Sequence, residues 1–166
     1  FSPIMKEVIK HANKGRLLLG ICNGFQILCE AGLLPGALLH NNNQKFICKN
    51  TFLKVCSGSA GITENVNKNR AYKIPIAHGE GRYYAEKDIV EDLFEKDQVL
   101  FQYCDLNGNV SEYDNPNGSL QNIAGVSNKN KNVMGMMPHP ERAVEPLLGN
   151  TDGIPLFESL LNSSKS

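Results

Sequence analysis

Helical and strand-like spacings of apolar residues alternate along the first part of the chain. Apolar residues recur at helical spacing from Ile4 to Ala12, directly after a Ser-Pro pair that is favoured at the start of a helix. Residues 16–21, apolar from Leu17 onward, are typical of a strand that is buried in a parallel sheet. A second helical stretch follows and ends at Gly32. A helix, a strand and a helix in this order predict an α/β fold.

The remaining segments are shorter and less regular. Pro75 favours an edge position for its strand, because proline cannot donate a hydrogen bond to a neighbouring strand. Turn-forming residues over 105–109 and 128–131 predict two hairpins, and the polar stretch 56–70 is predicted to be a loop. The predicted strands are residues 46–55, 72–77, 99–104, 110–113, 123–127 and 133–137, and the predicted helices are residues 89–94 and 154–161.

Composition and charge exclude several classes of function. The 166 residues suffice for one core and no repeat or linker divides them, so residues 1–166 are predicted to form a single domain. The 17 basic and 17 acidic side chains cancel, which argues against a large nucleic-acid-binding surface. No apolar run is long enough to span a bilayer and no signal peptide is visible, so we expect a soluble protein.

The five cysteines include no C-x-x-C pair, which argues against a disulfide framework and against a thiolate zinc site. This cysteine usage favours a reducing compartment, and we expect the cytoplasm. A free cysteine is usually a small buried hydrophobic residue. We therefore expect structural roles for four of the five, which are Cys29, Cys48, Cys56 and Cys104.

The fifth cysteine lies in the run Gly20-Ile21-Cys22-Asn23-Gly24, between the predicted strand and the second helix. G-x-C-x-G is the thiol counterpart of the nucleophile elbow, in which a sharp turn from a strand into a helix exposes the nucleophile. The positive end of the helix would favour the thiolate of Cys22, the form that attacks carbonyls. The sequence therefore predicts a nucleophilic thiol at this turn.

A histidine and a carboxylate follow the last predicted strand, in the run Pro138-His139-Pro140-Glu141. Each proline disfavours a helical conformation for the residue before it, so we expect an extended segment. Residues two apart in an extended chain face the same way, which would let Glu141 orient the imidazole of His139. A thiolate, a histidine and an orienting carboxylate are the groups that acyl transfer through a thioester requires.

A third run, His78-Gly79-Glu80-Gly81, directly follows the strand that contains Pro75. Ligands bind at strand ends in α/β sheets, and the two glycines allow the backbone to approach a ligand closely. The alternative is an ordinary glycine turn with solvated charges. A metal site formed with Cys22 would have a poor ligand count and spacing, so we predict none.

These three runs, with Asn-Pro-Asn-Gly-Ser at residues 115–119, resemble the triad-type (class I) glutamine amidotransferases. The resemblance is closest to one family of them, the glutaminase subunits of phosphoribosylformylglycinamidine synthase in de novo purine synthesis. It extends from residue 1 to about residue 161. It implies a three-layer α/β sandwich with a mostly parallel central sheet.

The resemblance also implies roles for residues of this chain. Cys22 would attack the side-chain amide of glutamine, and His139, oriented by Glu141, would protonate the ammonia that leaves. Water would then hydrolyse the glutamyl thioester and release glutamate. The backbone N–H of Asn23 would be one donor to the oxyanion. The residues expected to bind the substrate are Asn23, Gln26, His78, Gly79, Glu80 and Gly81.

The partner that the resemblance implies is a synthetase subunit. This subunit would receive the ammonia and use ATP and magnesium to make formylglycinamidine ribonucleotide, while the present chain would bind no cofactor. A small accessory subunit is left open as a further partner. No nucleic acid or membrane partner is expected.

The chain departs from the family pattern at its beginning. Family members begin with a further strand, helix and strand, which end in a glycine-rich loop that supplies a second oxyanion donor. The sequence starts after that loop, so we expect the domain to lack this segment, and the activity of these residues alone is left open. Two other functions stay open: a different α/β thiol hydrolase, and a non-catalytic interaction module.

Overall fold

The computed structural model describes residues 2–164. No helix within this range is long and apolar enough to cross a membrane. The helices are α1 (Pro3–Asn13), α2 (Asn23–Glu30), α3 (Lys87–Glu95) and α4 (Ile154–Ser163). The strands are β1 (Leu18–Ile21), β2 (Ala37–Leu39), β3 (Ile47–Val55), β4 (Tyr72–His78), β5 (Arg82–Tyr84), β6 (Val99–Cys104), β7 (Ile123–Ser127) and β8 (Val133–Met136).

Among the described residues, six strands form the main sheet in the order β1-β8-β7-β6-β3-β4, and β2 pairs with β5 separately. The strand β1 runs parallel to β8, with Leu18 opposite Val133 and Ile21 opposite Met136. The other neighbours in the main sheet are antiparallel. The predicted edge position of Pro75 is confirmed, since β4 ends the sheet.

Helices cover both faces of this sheet, so the molecule has three layers. One core cluster contains Leu156 of α4, packed with apolar residues of β3, β4, β6 and β8. The other cluster contains Ala12 of α1, Phe25 of α2 and Leu93 of α3. The predicted α/β class is therefore confirmed.

The sheet is mixed, so the expectation of a mostly parallel sheet is wrong for the described strands. The reason lies in the connections. A parallel crossover requires about a dozen residues or more. Residues 128–132 alone join β7 to β8, which permits only the antiparallel hairpin that the sequence predicts there.

The second predicted hairpin, between residues 99–104 and 110–113, does not form. Both edges of β6 are occupied, by β3 on one side and by β7 on the other. The carboxylate of Asp105 accepts the N–H groups of Asn107 and Asn109, each at 2.8 Å, and this turns the chain away from the sheet. A short 3₁₀ helix, Glu112–Asp114, follows in place of a strand.

Candidate active site

Cys22 lies at the sharp turn between β1 and α2, with φ 52° and ψ −110°. A positive φ at a non-glycine residue is sparsely populated and persists where the surroundings enforce it. The N–H of Cys22 donates to the carbonyl of Met136 at 2.9 Å, and Gln26 donates its N–H to the carbonyl of Cys22 at 3.2 Å. A Cβ atom on Gly20 would lie 2.7 Å from the backbone of Gly24. The predicted elbow is therefore confirmed, and it depends on glycine at position 20.

The thiol of Cys22 is protonated more readily than the sequence predicts. Its Sγ lies 3.9 Å from the carbonyl oxygen of Ala77. Burial raises the pKa of the Cys22 thiol, while the backbone N–H of Asn23 and the charge of Arg142 oppose this shift. The N–H group at the start of α2 lowers the pKa of the thiol, as predicted, but burial outweighs it and the net pKa is raised. A base must take the proton before the sulfur can attack.

His139 and Glu141 form the contact that the sequence predicts. The ring Nδ1 of His139 lies 2.6 Å from Oε1 of Glu141. Because a carboxylate accepts hydrogen bonds, Nδ1 is the donor in this contact, and in a neutral imidazole Nε2 then presents the lone pair. Within the described part of the chain, Nε2 of His139 has no hydrogen-bond partner. This ring nitrogen is the one that can act as a base.

The backbone that carries this pair differs from the expectation. The segment is not extended through Glu141, because a 3₁₀ turn begins at Pro140 and ends at Arg142. Proline fits the first position of a helical turn, where its missing N–H is not needed. The N–H of His139 donates to the carbonyl of Pro75 at 2.8 Å, which attaches the segment to the middle of β4.

A cavity of about 600 Å³ brings the three sequence runs together. Four residues of its wall were not among the predicted site residues, although all but Phe46 lie within or directly beside the three runs: Ile21, Phe46, Ala77 and Arg142. Glu141 lies behind the imidazole, and Gly81 supports the loop from outside the lining. The residues that line the cavity are Ile21, Cys22, Asn23, Gln26, Phe46, Ala77, His78, Gly79, Glu80, His139 and Arg142.

The segment His78–Gly81 is held against the cavity by side chains from elsewhere in the chain. Gln26 donates from Nε2 to the carbonyl of Glu80 at 2.9 Å. Asn117, within the run at 115–119, donates from Nδ2 to the carbonyl of Gly81 at 2.8 Å. Asn41 also binds this segment, and the sequence reasoning missed it because it lies in a polar stretch without a recognisable motif.

His78 is a second imidazole in the cavity wall. It is 4% exposed, and its Nε2 has no partner among residues 2–164. Burial lowers the pKa of His78 to about 4, and the nearby His139 contributes to the shift. His78 is therefore uncharged near neutral pH. The described residues contain no group of three or more His, Cys, Asp and Glu side chains that could hold a metal ion.

The other four cysteines differ from one another. Burial raises the pKa of Cys29 and of Cys104 to about 12 and that of Cys56 to about 11, so these thiols are poor nucleophiles. Cys48 is exposed, which contradicts the expectation that it is a buried hydrophobic residue. Its position in β3 places it outside the residues that line the cavity.

The fold and the cavity are those of a glutamine amidotransferase, and comparison with known families supports this class. Residues 2–153 match the model of the CobB/CobQ-like glutamine amidotransferase domain, and the chain belongs to that family. The match covers the elbow, the His78–Gly81 segment and the His139–Glu141 pair. The predicted class of glutamine amidotransferase is confirmed.

Individual relatives indicate which glutamine amidotransferases this chain resembles. The chain is 53% identical over 160 residues to phosphoribosylformylglycinamidine synthase subunit PurQ of Chlorobium luteolum, covering 96% of this chain and 69% of the relative. It is 51% identical over 162 residues to the subunit of the same name from Salinibacter ruber, covering 98% of this chain and 69% of the relative. The closer resemblance predicted from the sequence is thus confirmed.

A solved structure supports the same assignment of the fold. The structure of PurLQS from Thermotoga maritima matches with a TM-score of 0.81 and 45% sequence identity. The match covers 96% of this chain and 68% of the chain in that structure. The amidotransferase fold predicted from the resemblance is therefore confirmed.

Proposed function

We propose that this chain is the glutaminase subunit of phosphoribosylformylglycinamidine synthase, which hydrolyses glutamine and supplies ammonia for purine synthesis. The observation that carries the proposal is the shared cavity. Cys22, in its strained turn, lines the same cavity as His139, whose Nε2 is free and whose Nδ1 is held by Glu141. A thiol, a base and an orienting carboxylate are the groups that amide hydrolysis through a thioester requires.

The first chemical step begins with proton transfer. Nε2 of His139 takes the proton of the Cys22 thiol, whose pKa is raised by burial, and Sγ attacks the side-chain carbonyl carbon of glutamine. The new S–C bond makes a tetrahedral intermediate with a negative oxygen. His139 then returns the proton to the amide nitrogen, the C–N bond breaks, and ammonia leaves a glutamyl thioester. Glu141 stabilises the imidazolium at 2.6 Å throughout.

The second step uses the same groups. A water molecule attacks the thioester carbonyl while His139 takes one of its protons. The C–S bond breaks, the sulfur recovers that proton, and glutamate leaves the cavity. In this proposal the backbone N–H of Asn23, whose hydrogen bond lowers the pKa of the Cys22 thiol, binds the oxyanion of both intermediates.

In this proposal the cavity wall binds the substrate through its shape and through its charged side chains. Gln26 and residues 78–80 line the cavity, and Gln26 donates a hydrogen bond to the carbonyl of Glu80. The carboxylate of Glu80 suits the α-ammonium group of an amino acid, and the guanidinium of Arg142 suits the α-carboxylate. Opposite charges in one cavity favour a free amino acid over an uncharged amide.

The partner in this proposal is the synthetase subunit of the same enzyme. The names of the relatives support it, because each is a subunit of phosphoribosylformylglycinamidine synthase. ATP and magnesium serve that partner and not this chain. A small accessory subunit and a location in the cytoplasm complete the proposal.

The test is ammonia release from glutamine, measured with and without the purified synthetase subunit. We expect one glutamate for each glutamine consumed, at a rate that the partner and its substrates increase. The amide nitrogen should appear as free ammonia without the synthetase substrates and as the amidine product when they are present. Asparagine, which is one methylene shorter, serves as the matched control and should release no ammonia. Failure to form glutamate from glutamine with the partner present would contradict the proposal, and hydrolysis of unrelated thioesters alone would indicate a different thiol hydrolase.

A further inference from the structure

Asn41 forms several hydrogen bonds to the cavity wall, and no motif in the sequence predicts them. It is 1% exposed. Its backbone N–H donates to the carbonyl of Gly79 at 2.9 Å, and its Nδ2 donates to the carbonyls of His78 at 2.9 Å and Lys45 at 2.8 Å. Its Oδ1 accepts the N–H of Gly81 and faces Nδ1 of His78, both at 3.1 Å. One buried residue thus binds three of the four residues in the segment His78–Gly81.

These contacts determine which nitrogen of His78 carries the proton. The two carbonyl partners fix the NH₂ end of the Asn41 amide, and the N–H of Gly81 fixes its oxygen end, so the amide has one orientation. An amide oxygen only accepts hydrogen bonds. Nδ1 of His78 must therefore donate, and Nε2 of His78 is left with a lone pair.

The uncharged state of His78 matters because other titratable groups face the same cavity. Cys22 lies on the elbow, His139 and Arg142 follow β8, and Glu80 lies beside His78 itself, paired with His40 at 3.3 Å. Amide hydrolysis requires a positive charge on His139 when the thiol proton is transferred. A second positive imidazole in the same wall would oppose that charge.

We propose that Asn41 is a positioning residue for glutamine hydrolysis, which keeps the proton of His78 on Nδ1 with an uncharged amide, so that no ion pair stabilises a second positive imidazole in the cavity wall beside His139. This inference rests on the proposed function. Burial and the charge of His139 lower the pKa of His78 to about 4, and both therefore favour the uncharged ring.

The variant that tests this role is Asn41→Asp, measured in the complex with the synthetase subunit. Aspartate keeps an oxygen opposite Nδ1 of His78, loses two donor hydrogens and adds a negative charge. An adjacent opposite charge raises a histidine pKa by about 1 to 3 units. We expect the pKa of His78 to return to its ordinary value of about 6.5. The ratio of the variant's kcat to the wild-type kcat should then be about fourfold lower at pH 6 than at pH 8.

The matched control is Asn43→Asp, which makes the same change of charge two positions away. Asn43 is exposed, and its Oδ1 accepts the N–H of Lys45 and does not contact His78. Its pH profile should match that of wild type. A loss in Asn41→Asp that is equal at pH 6 and pH 8 would indicate a purely structural role and would overturn the inference.

Ring ¹⁵N NMR of the wild-type protein gives a readout that does not require activity or a folded variant. The sequence contains four histidines, and we expect the His78 resonances to report a neutral ring protonated on Nδ1 down to about pH 5. A proton on Nε2, or titration near the ordinary value, would overturn the inference. A protein with the expected ring state but no glutaminase activity would instead overturn the proposed function.

Discussion

Replacement of Cys22 by alanine removes glutamine-dependent activity, by a factor on the order of 10⁴ or more, as loss of a covalent nucleophile does in other hydrolases. The same variant should keep amidine synthesis when ammonium is supplied directly, because the synthetase subunit then needs no glutamine. The effect is large because no described side chain in the cavity other than Cys22 is a thiol. The measurement is product formation by the complex with glutamine and, separately, with ammonium.

The matched controls for this prediction are Cys29→Ala and Cys48→Ala. Cys29 is half-buried at the end of α2 opposite the elbow, and burial raises its pKa to about 12. Cys48 is exposed on β3. Both variants should keep glutamine-dependent activity within a few-fold of wild type. A Cys22→Ala protein that still used glutamine would contradict the thioester mechanism and would favour a non-catalytic role for this chain.

His139→Ala should lower kcat about 10²- to 10⁴-fold, and Glu141→Gln should have an effect about ten- to a hundredfold smaller. The imidazole carries the proton in both steps. Glu141 orients it through one contact at 2.6 Å, which a glutamine oxygen can partly replace. The measurement is the rate of glutamate formation at saturating glutamine, with circular dichroism to establish that each variant is folded.

The pH dependence of His139→Ala separates a missing base from a collapsed site. Because the pKa of the Cys22 thiol is raised, its thiolate fraction without a base increases about tenfold per pH unit through the neutral range. Residual activity of His139→Ala should therefore rise with pH more steeply than the activity of the wild type, in which His139 takes the thiol proton. Equal losses in the His139 and Glu141 variants, or a flat profile for His139→Ala, would argue against these roles.

Signals that lie within a few residues of one another predict the fold and the site well. The helix α1, the strand β1 and the elbow at Cys22 follow from apolar spacing, proline and glycine over short stretches. The contact between His139 and Glu141 is also local, although the backbone forms a 3₁₀ turn there and is not extended.

Features that depend on distant residues could not be predicted in this way. The direction of each strand in the sheet depends on which neighbours occupy its edges, as β6 illustrates. The raised pKa of Cys22 depends on burial by the surrounding fold. Asn41 binds His78 across 37 positions of sequence, and nothing near Asn41 in the chain indicates that contact.

The most direct test of the central claim is to treat the wild-type protein with a glutamine analogue that carries an electrophile in place of the side-chain amide, and to map the adduct by peptide mass spectrometry. We expect one adduct per chain, on the sulfur of Cys22, with its formation slowed by excess glutamine and strongly reduced in His139→Ala. Labelling spread over Cys29, Cys48 and the other thiols, or labelling that glutamine does not slow, would contradict the claim that Cys22 and His139 form a glutaminase site.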